Sequence, residues 1–487
     1  MPRARRARRD YRMPLTRRRR IAVAAACALA AAAAAAGTML AAQGGGAGPA
    51  PARAAASAGV AQAAPARTAA PRPAKAPLSP LTVVSKLPAW RAPGGRLVVE
   101  GRTAPRARVV LLVAGRRIGA AGAGPLGRYV VEGRVPSRAG RVAVAVASGG
   151  RKAAAGALRI RPVSLAAVGD VTFGATVGWR VERQGVRYPW LGVAKVLSGA
   201  DIATANLEGA VSARGSAEPN KLFTFRGPVA AVRAANAFAG IDLWTLANNH
   251  SRDFGALALL DTIKAARKGG AATVGAGRDL ASARSAAVLE RGGLRIAFLG
   301  YNDVPPWNFT AQPGYAGTAP AVASDIARDV RVARSRADVV VVWFHWGYEL
   351  EPRPNGRQEE LARAALDAGA ALVLGAHPHV LLPVTQPQPN RLVAWSLGNF
   401  VFTPRSAVTG RTAILHVQLG AGGVLGHRLQ GVQIAAEQPR FAPGAFWITG
   451  GGANAAPPDV PYIVPPLNSE PNPALVPGAS AAPASGA

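Results

Sequence analysis

Gly375-Ala376-His377-Pro378-His379-Val380 is the stretch on which the reading of this chain turns. It follows Ala370 to Leu374, an apolar run without polar alternation that stops at glycine, the pattern of a strand buried on both faces. Residues i and i+2 of an extended chain point the same way, so His377 and His379 leave the strand end together while Pro378 stiffens the segment between them. Two imidazoles so placed can converge on one or two metal ions.

Working outward, the same grammar recurs. From Ser164 onward, apolar runs end at Val168, Ala205, Leu246, Leu299, Phe344 and Leu374. They are separated by stretches of helical length such as Phe254 to Lys268, Ala321 to Arg336 and Glu359 to Ala368, which predicts an α/β domain. Two later runs, Arg391 to Phe402 and Thr412 to Leu419, read as antiparallel and predict a second sheet.

Open α/β sheets bind their ligands beyond the carboxyl ends of the strands. Polar residues collect there: Gly169-Asp170, Asn206-Leu207-Glu208, Asn248-Asn249-His250 and His345-Trp346-Gly347 precede the His377/His379 pair. Four of the six histidines fall at such positions, and His416 and His427 are read as ordinary residues of the second sheet. Divalent ions of borderline softness call for carboxylates that bridge and balance charge, neutral imidazoles and an amide oxygen, and this set supplies them.

These motifs, with Asp253, Gly255 and Ser396-Leu397-Gly398-Asn399-Phe400, resemble in order those of the capsule synthesis protein CapA family, associated with poly-gamma-glutamate capsule production. The resemblance covers about Ser164 to Glu437. That family is in turn similar to the calcineurin-like metallophosphoesterases, which implies a two-sheet sandwich flanked by helices and a dinuclear centre. Carried over by motif, Asp170 would ligate the first ion, Glu208 would bridge, Asn249, His345 and His377 would ligate the second, and His379 would return to the first. His250 would be the acid that protonates the leaving oxygen. The cofactor implied is a divalent transition metal, one or two ions of Mn, Zn or Fe. One departure stands out: Thr172 occupies the position where the phosphoesterase pattern has a histidine, so the first ion is short of a ligand. Asn206, Arg226, Trp346 and Glu349 are expected to face the substrate, Arg226 as a clamp for an anion and Trp346, Glu349 and Glu351 at the mouth.

The chain has 487 residues and a formal charge of +33, with 56 Gly and 40 Pro. The arginines either cluster in the first 20 residues or scatter without interleaved aromatics, a bias that reads as genome composition rather than a nucleic-acid face. Arg3 to Arg20 is basic and Ile21 to Ala42 is an uncharged, alanine-dominated run of membrane-spanning length, a signal or anchor that places the remainder outside the cytoplasmic membrane. The arginine pairs before Ile21 also permit twin-arginine export. Cys27, the single cysteine, lies in that run as a packing residue, so no disulfide framework exists. Residues 44–80 form a Pro/Ala-rich linker. Residues 81–162 alternate short β-rich runs with turn clusters, predicting a small all-β sandwich that loosely resembles bacterial immunoglobulin-like modules and serves as spacer or docking module. Residues 438–487 read as a Pro/Ala/Gly-rich tail, with disorder expected from Gly450 to Ala487.

The expectation is an extracytoplasmic metal-dependent hydrolase of phosphoester type in capsule or envelope polymer synthesis. The alternative is a non-catalytic component of a polymer synthesis or export assembly. Its partners would be an anionic polymer or phosphoester, the membrane through the N-terminal helix, and capsule-synthesis proteins, with no nucleic acid.

Overall fold

The structure is a computed structural model that describes residues 80–441 and 447–450. The leader, the linker and residues 451–487 of the expected tail lie outside the described residues.

Eight strands come first: β1 (Thr82–Val83), β2 (Trp90–Arg91), β3 (Arg96–Arg102), β4 (Arg108–Val113), β5 (Arg116–Gly122), β6 (Arg128–Arg134), β7 (Gly140–Ser148) and β8 (Arg151–Ile160). They form a three-stranded sheet, β1-β3-β6, and a five-stranded sheet, β2-β8-β7-β4-β5. Alternating residues such as Leu97, Val99, Leu111, Val131, Val146 and Leu158 meet in one core between them. The short runs seen in the sequence are therefore a small β-sandwich.

The chain continues through β9 (Val163–Val171), β10 (Ile202–Leu207), β11 (Ala210–Val211), β12 (Arg226–Gly227), β13 (Ile241–Thr245), β14 (Ala272–Val274), β15 (Ala276–Gly277), β16 (Ala287–Arg291), β17 (Leu294–Asn302) and β18 (Gly317–Thr318). It ends with β19 (Val339–His345), β20 (Leu372–Ala376), β21 (Val384–Gln388), β22 (Arg391–Ala394), β23 (Asn399–Val401), β24 (Arg411–Gly420), β25 (Gly423–Ala435), β26 (Gln438–Arg440) and β27 (Trp447–Gly450). Two mixed sheets result, one ordered β14-β13-β10-β9-β24-β25-β26 and the other β16-β17-β19-β20-β22-β21.

Side-chain alternation decides the layers. Leu165, Ala167, Leu243 and Leu415 of one sheet share a core with Ile296, Phe298, Val341 and Leu374 of the other, so the sheets pack face to face. Trp343 Nε1 crosses that interior and donates to Thr204 Oγ1 at 3.1 Å. The opposite residues, Ala166, Val168 and Ala205, pack under helices that include α1 (Ala175–Gln184), α2 (Ala194–Gly199), α3 (Val229–Ala234) and α4 (Gly255–Lys268). On the far side Val340, Val342 and Phe344 meet α5 (Leu280–Ala283), α6 (Ala323–Arg334) and α7 (Gly356–Asp367). In α6 the core face is Ile326, Val330 and Ala333, the i, i+4, i+7 stripe of an amphipathic helix. A capping box starts α7: Asn355 Oδ1 accepts from Gln358 N at 2.9 Å and Gln358 Oε1 from Asn355 N at 3.0 Å.

One expectation about the end of the chain is corrected. Arg391–Phe402 and Thr412–Leu419 do not build a sheet of their own: β22 joins β20 in parallel, whereas β23 and β24 both pair with β9. The chain changes sheets at Leu397-Gly398, where Gly398 O accepts from Asp170 N at 2.9 Å. Past Glu437, β26 and β27 add to the sheet by pairing with β25.

The sandwich docks through backbone contacts, Ala92 N to Gly292 O and Arg96 N to Gly293 O, both at 2.8 Å. Arg161 strengthens the joint by covering the Trp90 ring at 3.6 Å while forking onto Asp201 at 2.7 and 2.9 Å.

Candidate metal centre

β9, β10, β13, β19 and β20 end at the same rim, which gathers residues far apart in sequence. Close backbone approach is required there. A Cβ on Gly375 would meet Trp395 O at 2.0 Å, and one on Gly169 would meet Gly398 O at 1.8 Å. Beyond Gly375, His377 and His379 adopt φ of 97° and 60°, a strained conformation for residues with a Cβ.

Asp170, Glu208 and His379 converge, with one ligand atom of each within 4.8 Å of the others. His379 Nδ1 lies 3.4 Å from Asp170 Oδ2, and its Nε2 lies 4.0 Å from Glu208 Oε1. Both carboxylates are fully buried. Neither Glu208 oxygen has a hydrogen-bond partner. A buried carboxylate with two bare oxygens carries either a proton or a cation. Burial, and then the neighbouring Asp170, push the Glu208 carboxyl well above its usual range. Burial pulls His379 toward neutrality, but Asp170 and Glu208 outweigh it and hold the imidazolium up to about 9. This combination suits a divalent cation among the three residues.

The remaining expected ligands lie alongside. The His345 and His377 rings are 4.8 Å apart, and burial keeps both well below the usual imidazole range, hence neutral. His377 Nδ1 is buried and unpartnered. His345 Nε2 is 2.9 Å from Asn249 Oδ1, so these two groups face each other. Thr172 is buried and its Oγ1 accepts from Gly174 N at 3.2 Å, with no imidazole in its place.

His250 stands beside the cluster with Nδ1 2.7 Å from Asp253 Oδ2 and Nε2 3.8 Å from Glu208 Oε1. Lys221 ion-pairs with the other Asp253 oxygen and packs over Phe309 at 5.2 Å. The sequence carried no signal for Lys221, which lies in a loop without periodicity. Also missed were the roles of Asn248, which donates to Asn206 Oδ1 at 2.9 Å, and of Asn399, whose Oδ1 lies 2.9 Å from His379 Nδ1. Such partners orient metal ligands from behind.

Three residues expected at the substrate are placed elsewhere. Asn206 is fully buried and donates to Asp170 Oδ1 at 2.8 Å, so it braces the carboxylate. Trp346 is in the core, stacked on Phe344 at 4.4 Å and donating to Trp395 O at 2.9 Å. Arg226 stacks over Phe254 at 3.7 Å and donates through Nη2 to Gly215 O at 2.6 Å, which ties that end of its guanidinium to the loop while Nε has no partner. Glu349 is exposed, and its charge acts on both Glu208 and His379, as a group at the mouth would.

The family model of the bacterial capsule synthesis protein PGA_cap matches residues 164–404. The chain is similar to the capsule biosynthesis protein CapA of Bacillus anthracis, at 32% identity over 54% of this chain and 65% of that one. It is also similar to the PGA biosynthesis protein CapA of Bacillus subtilis, at 32% identity over 54% of this chain and 69% of that one. The chain thus spans about two thirds of the length of these relatives. A solved 5'-nucleotidase precursor from Thermus thermophilus is 16% identical over 57% of this chain and 56% of that one, with a TM-score of 0.37.

Proposed function

Because the chain belongs to the bacterial capsule synthesis protein PGA_cap family, we propose that it is a metal-dependent phosphoester hydrolase acting outside the cytoplasmic membrane in capsule or envelope polymer synthesis. The observation that carries this reading is the Glu208 carboxylate, fully buried with both oxygens bare beside Asp170 and His379. Asp170, Glu208 and His379 would hold one ion, and His377, His345 and Asn249 would serve a second. An ion of the Mn, Zn or Fe type supplies activation of water at neutral pH and stabilisation of charge on a phosphoester.

The chain's own groups do the rest. Asp253 Oδ2 accepts from His250 Nδ1–H and leaves Nε2 turned to the cluster; once Nε2 has taken up a proton from solvent, the imidazolium can pass it to a leaving oxygen. Lys221 holds Asp253 in place and balances its charge. Asn399 and Asn206 fix His379 and Asp170. The test is metal analysis of the purified protein together with turnover of a generic phosphoester before and after chelation. Transition metal in the protein and activity that returns on reconstitution are expected; metal-free protein with no gain on adding metal overturns the reading.

Thr172 favours a second reading, in which a site short of one histidine holds metal structurally and the chain is a non-catalytic part of a polymer synthesis or export assembly. Replacing His377 and Glu208 separates the two, since a scaffold keeps its envelope phenotype without them.

A further inference from the structure

Residues 80–162 contain 16 arginines and lysines but only two acids, Glu100 and Glu132. Residues 163–440 contain 28 against 20. A genomic arginine bias acts on both segments alike, so it does not explain why the sandwich lacks acids. Both glutamates lie in the three-stranded sheet; the five strands β2, β8, β7, β4 and β5 carry none.

Register sharpens the observation. Arg141 stands directly opposite Arg159 across the β7/β8 ladder, on an outward face where both are exposed. Like charges directly opposed destabilise a sheet. Elsewhere in the sandwich the Arg96/Arg134 pair is relieved by Glu132 and Asp338, and the opposed Arg102/Arg128 pair shares its exposed face with Glu100, an acid that the five-stranded sheet does not offer. Among the described residues no carboxylate pairs with Arg141 or Arg159. Lys152 is exposed at the other end of β8, seven positions away, or roughly 23 Å at strand spacing. Between them runs a shallow groove of about 350 Å³, lined by Leu112, Ala143, Ala145, Lys152, Ala154 and Gly156.

We propose that this face of the five-stranded sheet is a binding strip for a linear polycarboxylate. Carboxylates at intervals along an extended chain would meet Lys152 at one end and the opposed Arg141 and Arg159 at the other, relieving their repulsion. The alanine and glycine floor lets a polymer backbone lie close. Nucleic acid is disfavoured because the sandwich has only two aromatic residues, Tyr129, which is buried, and Trp90, which Arg161 covers, so it offers no stacking platform. The carboxylate chemistry rests on the envelope-polymer reading above, but not on the metal centre.

The test is fluorescence anisotropy of labelled poly-glutamate with the full-length protein, comparing wild type with R141Q/R159Q. The double variant should bind at least about tenfold more weakly, and wild-type binding should weaken steeply between about 50 and 300 mM salt. Without polymer the double variant should melt higher than wild type, a readout that loss of a structural arginine pair would move the other way. Undiminished binding by the double variant overturns the proposal. So does equally tight binding of single-stranded DNA or of vesicles containing anionic lipid. A protein that hydrolyses phosphoesters but fails to bind poly-glutamate overturns the strip alone, and one that binds the polymer but holds no metal overturns the hydrolase alone.

Discussion

His250 Nδ1 lies 2.7 Å from Asp253 Oδ2, and this contact determines which ring nitrogen faces Glu208. If that nitrogen works as an acid and not as a ligand, His250→Ala retains bound metal while turnover falls by about 10² to 10⁴-fold. Asp253→Asn leaves the ring in place with the wrong tautomer preferred and lowers turnover by about 10- to 100-fold. Metal content measured beside phosphoester turnover checks both, and metal loss in His250→Ala would make the histidine a ligand.

Glu208→Gln separates what the carboxylate does for metal from what it does to the fold. In chelator-treated protein the Glu208 carboxyl, raised by burial, carries a proton, and a neutral amide of similar shape replaces it, so the variant should be about as stable as wild type. With metal in about hundredfold excess over its dissociation constant, wild type gains about 2.7 kcal/mol that the variant does not. Thermal unfolding with and without chelator reads this difference; equal metal stabilisation in both proteins would contradict it.

Asp201 gives the joint between sandwich and α/β region a pH dependence of known sign. Burial raises its pKa, but hydrogen bonds from Arg161 and Ser164 outweigh burial and hold it below the usual value. A depressed folded-state pKa contributes stability that is present above the unfolded value of about 3.9 and is lost as pH falls through the folded one. Asp201→Asn should therefore cost about 1–2 kcal/mol at pH 7, allowing for solvent screening, with the two proteins converging in acid. Denaturant unfolding across that range measures it, and a gap that widens on acidification would refute it.

Gly375→Ala should disturb the site without touching any expected ligand. Its new methyl would stand 2.0 Å from Trp395 O and 2.7 Å from Trp346 Nε1, so β20 must shift and carry His377 and His379 with it. A loss of about 1–3 kcal/mol is expected, with weaker metal binding. A variant with wild-type unfolding midpoint and metal content would show the approach to be slack.

The proposed location has its own test. Protease added to intact cells or spheroplasts should cut within residues 44–80 and release a soluble, metal-bearing fragment. Protection of that fragment until the membrane is lysed would invert the topology and remove the external-polymer role with it.

The positions of Asp170, Glu208, His250, His345, His377 and His379 were legible without coordinates for a local reason. Parallel strands covered on both faces read as unbroken apolar runs, and the first polar residues after each run fall at the same rim. Helices α4, α6 and α7 were legible too, because amphipathic periodicity is a property of a dozen neighbouring residues. Contacts between distant segments follow no such local rule. Asn206 bonds Asp170 and meets His345, 139 positions away, so whether it touches substrate or braces a ligand depends on which strands become neighbours. Trp346 follows His345 directly, yet it turns into the core because Phe344 and Trp395 offer stacking partners there. The late strands β22 and β24 enter different sheets for the same reason: each ladder edge is created by other parts of the chain. The arginines of the sandwich could be counted from the sequence, but only the β7/β8 register sets Arg141 against Arg159 on one exposed face.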